Sequence, residues 1–240
     1  MILGETASTN DDLRRLAAEG ADEGTVVLAS RQTAGRGRLG RSWDSPEGLG
    51  LYLSFLLRPQ EPVREIGRYP IACAIAVCEA CREIAGESVS LKWPNDVLAG
   101  GRKLAGILCE MRQSPSGVEL VLGVGINGNQ RPGDFHAELQ ASATSLRILR
   151  DGRPIDLESV ATILLTVLSE TIERLRREGW PWVCERFLRY APDATGRRVR
   201  LMAGGEGTTG GLDATGALRV LTRDGIELVH ASESVAVIEG

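Results

Sequence analysis

The chain has 240 residues, 42% of them hydrophobic and 25% charged, with a formal net charge of −4. That length accommodates one large domain and a small one. The acidic balance argues against non-specific nucleic-acid binding, which needs a basic face spread over many phosphates. No apolar run reaches the roughly 20 residues that cross a bilayer, and no signal peptide follows Met1, so a cytoplasmic protein with no membrane partner is expected.

In chain order, Ser8-Thr9-Asn10-Asp11-Asp12 leads into Leu13, Leu16 and Ala17 before Gly20, which predicts a capped helix of about ten residues. The β-branched and apolar stretch 25–30 predicts a strand. Residues 31–41 then hold four arginines (Arg31, Arg36, Arg38, Arg41) and three glycines (Gly35, Gly37, Gly40). Guanidinium groups at that density repel one another unless an anion or carboxylates sit among them, and the glycines allow a tight turn with amides pointing inward. The run predicts a loop that wraps a phosphate or carboxylate, with Arg31 an ordinary surface charge. Residues 35–40 formally match G-x-G-x-x-G, and 35–42 nearly match the P-loop pattern. Both motifs need a helix directly after the glycines, and Trp43-Asp-Ser-Pro46-Glu-Gly48 does not make one. An anion is therefore left to arginine side chains and loop amides.

Further strands are expected at 51–57, at 89–93 closed by Pro94, and as an antiparallel pair at 104–111 and 118–126 around Ser114-Pro-Ser-Gly117. Helices are expected at 66–85 despite Pro70, at 157–178 from the helical spacing of Val160, Leu164, Val167, Leu168, Ile172 and Leu175, and at 182–190. Beyond Arg197 the texture changes to short strands (198–202, 210–213, 218–221, 227–231, 235–238) between Gly-rich turns, a small all-β barrel. The expected division is 1–192 and 193–240. The five cysteines read as reduced, buried thiols. Cys78-Glu-Ala-Cys81 has C-x-x-C spacing, but with two histidines in the chain and no second pair a metal cage is not expected.

Three more segments have the composition of a site. Lys92-Trp93-Pro94-Asn95-Asp96 ends a strand with a cation, a rigid turn, an amide and a carboxylate. Gly101-Arg102-Lys103-Leu104-Ala105-Gly106 puts a lysine at a strand start between glycines that admit a ligand closely. Gly123-Val-Gly-Ile-Asn127 ends a buried strand on a lone amide. Trp43 and Trp93 are left without a role. Taken singly, Ser8-Thr9-Asn10 also reads as a helix cap, Gln32 as a surface residue, Lys103 as a strand-end charge, and Asp96 as a turn cap.

Together, G-R-G-R-x-G-R-x-W, K-W-P-N-D, G-R-K-L-A-G-I-L and G-x-G-I-N closely resemble the biotin–protein ligases, over nearly the whole chain. The resemblance implies an α+β fold: a mixed β-sheet flanked by helices, the class II synthetase-like catalytic domain of biotin and lipoate ligases, with a small C-terminal SH3-like β-barrel. It implies adenylation of biotin by ATP with Mg²⁺ to biotinyl-5′-AMP, then transfer to one lysine of a biotin carboxyl carrier domain. By matching position, Ser8, Thr9, Asn10, Gln32, Gly35 and Gly106 would contact biotin. Arg36, Gly37 and Arg38 would close over biotin and the acyl-adenylate, and Arg41 would face the nucleotide. Lys103 would bind the reacting carboxylate and phosphate oxygens, Asn127 would support the nucleotide, and Asn95 and Asp96 would arrange ATP, Mg²⁺ or the incoming lysine. The catalytic set would be Arg38, Lys103 and Asp96. The arginine loop then reads as a mobile lid that orders on a negatively charged ligand. Ser8 follows Met1 so soon that no helix-turn-helix domain is expected and hence no DNA partner; a monomer or a homodimer fits equally. The rival readings are a lipoate or octanoate ligase of the same fold, and a non-catalytic biotin-binding module.

Overall fold

The computed structural model describes residues 1–86, 88–114 and 117–238. In order, Ile2–Thr6 forms β1, Thr9–Ala18 α1, Val26–Gln32 β2, Gly50–Leu57 β3, Arg68–Ala85 α2, Val89–Lys92 β4, Asp96–Ala99 β5, Arg102–Ser114 β6 and Gly117–Asn127 β7. Leu146–Leu149 is a short α3, followed by α4 (Leu157–Glu178) and α5 (Trp180–Tyr190). Five strands end the chain: β8 (Thr195–Leu201), β9 (Glu206–Leu212), β10 (Leu218–Thr222), β11 (Gly225–Val229) and β12 (Val235–Val237).

The first seven strands form one mixed sheet in the order β1-β2-β3-β7-β6-β5-β4, in which β1 runs parallel to β2. Central β3 is buried on both faces, and its alternation assigns the two sides. Leu51, Leu53, Phe55 and Leu57 join the main core with α2, α4 and α5. Leu56, on the opposite face, packs with Val121 under Leu13 and Ala17 of α1. The side of the sheet that α1 only partly covers is left to the site. Eleven residues of α2 are buried, and Pro70 is tolerated because the first turn has no intrahelical acceptor for its missing N–H.

Several expectations shift. β2 runs two residues past Ser30, because Glu5 and Thr6 of the unpredicted β1 pair with Arg31 and Gln32. Gln32 is therefore a strand residue, not part of the loop. β5 was also unpredicted; it is a four-residue return strand antiparallel to β4. Ser8 occupies the N-cap of α1 in extended conformation, but its side chain makes no capping hydrogen bond. The turn between β6 and β7 expected at 114–117 includes Pro115 and Ser116, which lie outside the described residues.

The C-terminal strands form a second sheet, antiparallel throughout, in the order β11-β10-β9-β8-β12. Its β9–β10 turn is built on Asp213, whose Oδ1 accepts from the Thr215 amide (2.8 Å), the Thr215 hydroxyl (2.7 Å) and the Ala217 amide (2.9 Å). That turn docks on the larger sheet's side: Trp93 Nε1 donates to Gly216 O at 2.9 Å and Arg68 Nε to Ala214 O at 2.8 Å. Trp93 is thus an anchor for the second sheet. Cys73, Cys78 and Cys81 are buried free thiols. Burial pushes Cys78 up to about 12, too high to furnish a thiolate.

Candidate active site

The bed of the site is backbone without side chains. Pairing of β3 with β7 and of β7 with β6 places Gly123 opposite Ser54, and Gly125 opposite both Tyr52 and Gly106. A Cβ on Gly123 would stand 2.3 Å from Asn10 Oδ1. One on Gly125 would stand 2.4 Å from Trp43 Nε1, and one on Gly106 3.3 Å from Trp43 Cζ3. Gly123 and Gly125 therefore first admit two of the protein's own side chains, Asn10 and the Trp43 indole, and Gly106, one of the two glycines expected to admit a ligand, stands against the same indole.

Around this bed lies a cavity of about 300 Å³. Its polar end comes from the start of α1 and from β2 and β3. Gln32 Oε1 accepts from the Thr9 amide at 2.9 Å and the Thr9 hydroxyl at 3.1 Å, while Gln32 Nε2 donates to Ser45 Oγ at 2.9 Å. Ser54 Oγ lies 2.8 Å from Thr9 Oγ1 and 2.5 Å from Asn10 Oδ1. Asn10 Nδ2 donates to Glu110 Oε2 at 2.7 Å. Ser8, Thr9 and Asn10 are all buried, so this end is organised before any ligand arrives. Asn10's amide is consumed by Ser54 and Glu110.

The arginine loop crosses the mouth as a miniature hairpin, with Arg36 bridged to Ser42. Gly37 N donates to Arg41 O at 2.7 Å and Arg41 N to Arg38 O at 3.1 Å. These two amides serve the loop itself and not an anion, so charge recognition falls to the side chains. At the tip, Leu39 (φ 54°) and Gly40 (φ 73°) are left-handed; glycine takes this conformation freely and leucine at a cost. Arg38 Nη1 donates to Asn95 Oδ1 at 2.9 Å across the cavity. Arg36 instead meets carboxylates, with Asp11 at 2.5 and 2.8 Å and Glu110 at 3.4 Å. The protein supplies anions among its own arginines. Gly35 does not line the cavity. Its Cβ position faces Trp43 O at 2.5 Å and Ser45 Oγ at 2.7 Å, so the close chain crossing by itself requires a glycine there.

The cationic end is Lys103, whose Nζ pairs with Asp96 Oδ1 at 2.7 Å and lies 5.6 Å from the Trp43 ring centroid. Asn95 is fixed by Nδ2 donating to Ile107 O at 2.8 Å. Asn127 Nδ2 donates to Thr144 O at 2.9 Å and Lys103 O at 3.3 Å, which ties residues 142–144 to the start of β6. The outer wall, including Phe135, Leu139, Ser142 and Ala143, comes from a stretch that shows no sequence periodicity. Ser232 of the second sheet's final turn also lines the cavity. Buried Trp43 Nε1 and Gln130 Oε1 lack a hydrogen-bond partner among the described residues, and both residues line the cavity.

Of the residues expected at the site, Ser8, Thr9, Asn10, Gln32, Arg36, Gly37, Arg38, Arg41, Asn95, Asp96, Lys103, Gly106 and Asn127 meet at this one cavity. Trp43, Gln130, Phe135 and Leu139 were missed. Trp43 had a signal, since it closes the arginine motif; the others sit in irregular chain with no pattern to read.

The sequence matches the biotin/lipoate A/B protein ligase family over residues 4–127. It is 36% identical over 230 residues to the bifunctional ligase/repressor BirA of Bacillus subtilis, covering 95% of this chain and 70% of that one. It is 38% identical over 215 residues to the biotin–[acetyl-CoA-carboxylase] ligase of Mycobacterium tuberculosis, covering 87% and 77%. The structure of the Aquifex aeolicus biotin protein ligase, solved with biotin and ATP, superposes with a TM-score of 0.83 at 33% identity, covering 100% of this chain and 98% of that one. Cavity, motifs and relatives agree, and the chain belongs to the biotin/lipoate A/B protein ligase family.

Proposed function

We infer that this chain is a biotin–protein ligase that adenylates biotin with ATP and passes the acyl group to a lysine of a biotin carboxyl carrier domain, acting in the cytoplasm. The observation that carries the reading is a single cavity with a preorganised neutral polar end (Ser8, Thr9, Gln32) facing a cationic end (Arg38, Arg41, Lys103). A neutral heterocycle with a carboxylate tail suits that polarity, and a lipoyl dithiolane has no comparable use for the hydroxyl and amide cluster.

In the first step a biotin carboxylate oxygen attacks the α-phosphorus and pyrophosphate leaves. Both reactants are anions, so the task is charge neutralisation and positioning. Lys103 and Arg38 hold the carboxylate and phosphate oxygens, and Arg41 the outer nucleotide oxygens. Asn127, fixed by two backbone carbonyls, shapes the nucleotide end, and Gln130 Oε1 and Trp43 Nε1 offer an acceptor and a donor left unmatched among the described residues. In the second step the carrier lysine's amine attacks the acyl carbonyl, AMP leaves, and Asp96 orients the amine or takes its proton. The carboxylates lining the cavity among the described residues are Asp44 and Asp96. Mg²⁺ typically binds through one or two carboxylates plus substrate phosphates, so Asp96 fits as its protein ligand. The ion would supply neutralisation of phosphate charge.

The arginine loop acts as the lid, Arg38 giving up Asn95 for the ligand's negative charge. We take the boundary between catalytic unit and C-terminal unit at residues 192 and 193, ahead of β8. The test is incubation with ATP and a carrier domain, with biotin or lipoate, followed by mass measurement. Biotin-dependent addition of one biotinyl group is expected. Lipoyl transfer without biotinyl transfer would overturn the reading, as would biotin binding without biotin-dependent pyrophosphate exchange.

A further inference from the structure

Arg36 and Arg38 lie two residues apart in the same loop, yet their surroundings differ in kind. Arg38 rests on a neutral amide, Asn95. Arg36 places its two terminal nitrogens on the two oxygens of Asp11, at 2.5 and 2.8 Å, with Glu110 behind at 3.4 Å. Arg14 pairs with both carboxylates, so the cluster holds two positive and two negative charges. An incoming anion gains from Arg38 by replacing a neutral partner. From Arg36 it would gain little, because that charge is already matched at contact distance.

The same carboxylates tie the loop to the rest of the site. Asp11 follows Ser8-Thr9-Asn10 in the first turn of α1, and Glu110 of β6 also receives the Asn10 amide at 2.7 Å. Neither carboxylate lines the cavity. The loop is thus pinned at its stem, while Gly37, the next residue, is loosely surrounded: a Cβ there would meet nothing closer than 3.5 Å.

We propose that Asp11, supported by Glu110, is a positioning residue for the ligase reaction: it fixes Arg36 as the post on which the arginine lid turns, so that Arg38 meets the acyl-adenylate and retains it. This rests on the proposed function for its purpose, though not for its geometry.

The test uses the full chain with Asp11→Asn, Asp11→Glu, Arg36→Gln and the Asp11→Asn/Arg36→Gln double variant, with two readouts. In the ligand-free chain, tryptic cleavage after Arg38 or Arg41 is timed by mass spectrometry. Asp11→Asn is expected to cleave about fivefold faster than the native chain and Asp11→Glu at close to its rate. In the loaded chain, dissociation of biotinyl-5′-AMP is expected to be about fivefold faster in either single variant and about the same fivefold in the double, because both substitutions break one link. Native cleavage and dissociation rates in Asp11→Asn would overturn the proposal, as would multiplicative effects in the double variant. A native chain that forms no biotinyl-5′-AMP while Asp11→Asn still loosens the loop would sink the functional reading and leave the positioning role standing.

Discussion

Replacing Gly125 by alanine tests whether the glycines of the β7 motif serve the ligand through Trp43. The added Cβ would stand 2.4 Å from Trp43 Nε1, 2.5 Å from Cε2 and 2.9 Å from Cζ2, whereas ordinary contact begins near 3.4 Å. The ring must therefore retreat by about 1 Å. The backbone cannot yield, since Gly125 is paired on both sides, to Tyr52 and to Gly106. The ring's open side is the cavity. Overpacking costs about 1–3 kcal/mol in a closed core, and here the cavity absorbs the movement, so stability should fall by about 1 kcal/mol. Ligand binding should suffer more, because the ring moves into the ligand's volume: about tenfold weaker binding of a non-hydrolysable biotinyl-adenylate analogue, equivalent to about 1.4 kcal/mol. Titration calorimetry reads the affinity and urea unfolding the stability. Gly4→Ala, where nothing lies within 4 Å of the new atom, should leave both unchanged. An affinity within twofold of the native chain in Gly125→Ala would refute the argument, because the clash would then have been relieved away from the site.

Three further outcomes follow from the pairings at the mouth. Lys103→Ala removes the cation paired to Asp96 and leaves a carboxylate facing two anionic substrates; biotin-dependent pyrophosphate exchange should fall by about 10²–10³, and near-normal exchange would rule out its assigned role. Arg38→Gly deletes the bond to Asn95 that spans the cavity; the acyl-adenylate should escape about tenfold faster while part of its synthesis survives, and unchanged dissociation would exclude a clamp. The hydrogen bond from Arg36 holds the Asp11 carboxyl below its ordinary range. Its contribution is therefore present above the unfolded value near 4 and lost as pH falls through the lower folded value. Urea unfolding between about pH 5 and pH 2 should show a steeper loss for the native chain than for Asp11→Asn, and parallel profiles would contradict the pairing.

α4 was legible because burial of one face imposes a period, which its apolar spacing follows from Leu157 to Glu178, whereas β3, buried on both faces, and the β6–β7 pair were legible as apolar runs bounded by turn residues. β1 escaped because an edge strand with one partner needs no alternation, and its exposed Ile2 carries no information about a core. The wall around Phe135 and Leu139 escaped for a similar reason: short 3₁₀ turns are fixed by contacts to the rest of the molecule, such as Lys103 N to Ser142 O at 2.7 Å, and not by local preference.

The site itself was legible as a set of motifs but not as a division of labour. A motif residue is constrained equally by a ligand it touches and by another motif residue it supports, and sequence does not separate the two. Gly123 is glycine for Asn10, Gly125 for Trp43 and Gly35 for the backbone crossing at Trp43. Asn127 spends its donors on Thr144 and Lys103, and Arg36 spends its charge on Asp11. Once these mutual obligations are assigned, the groups whose present partners an incoming anion could replace are few. Arg38 can exchange a neutral amide for a phosphate, and Lys103 can share its charge between Asp96 and a substrate oxygen. On the proposed function, electrostatic selection for an acyl-adenylate would rest on these two cations with Arg41, and not on the four-arginine run as a whole: Arg36 is matched by Asp11 and Arg31 by Glu5.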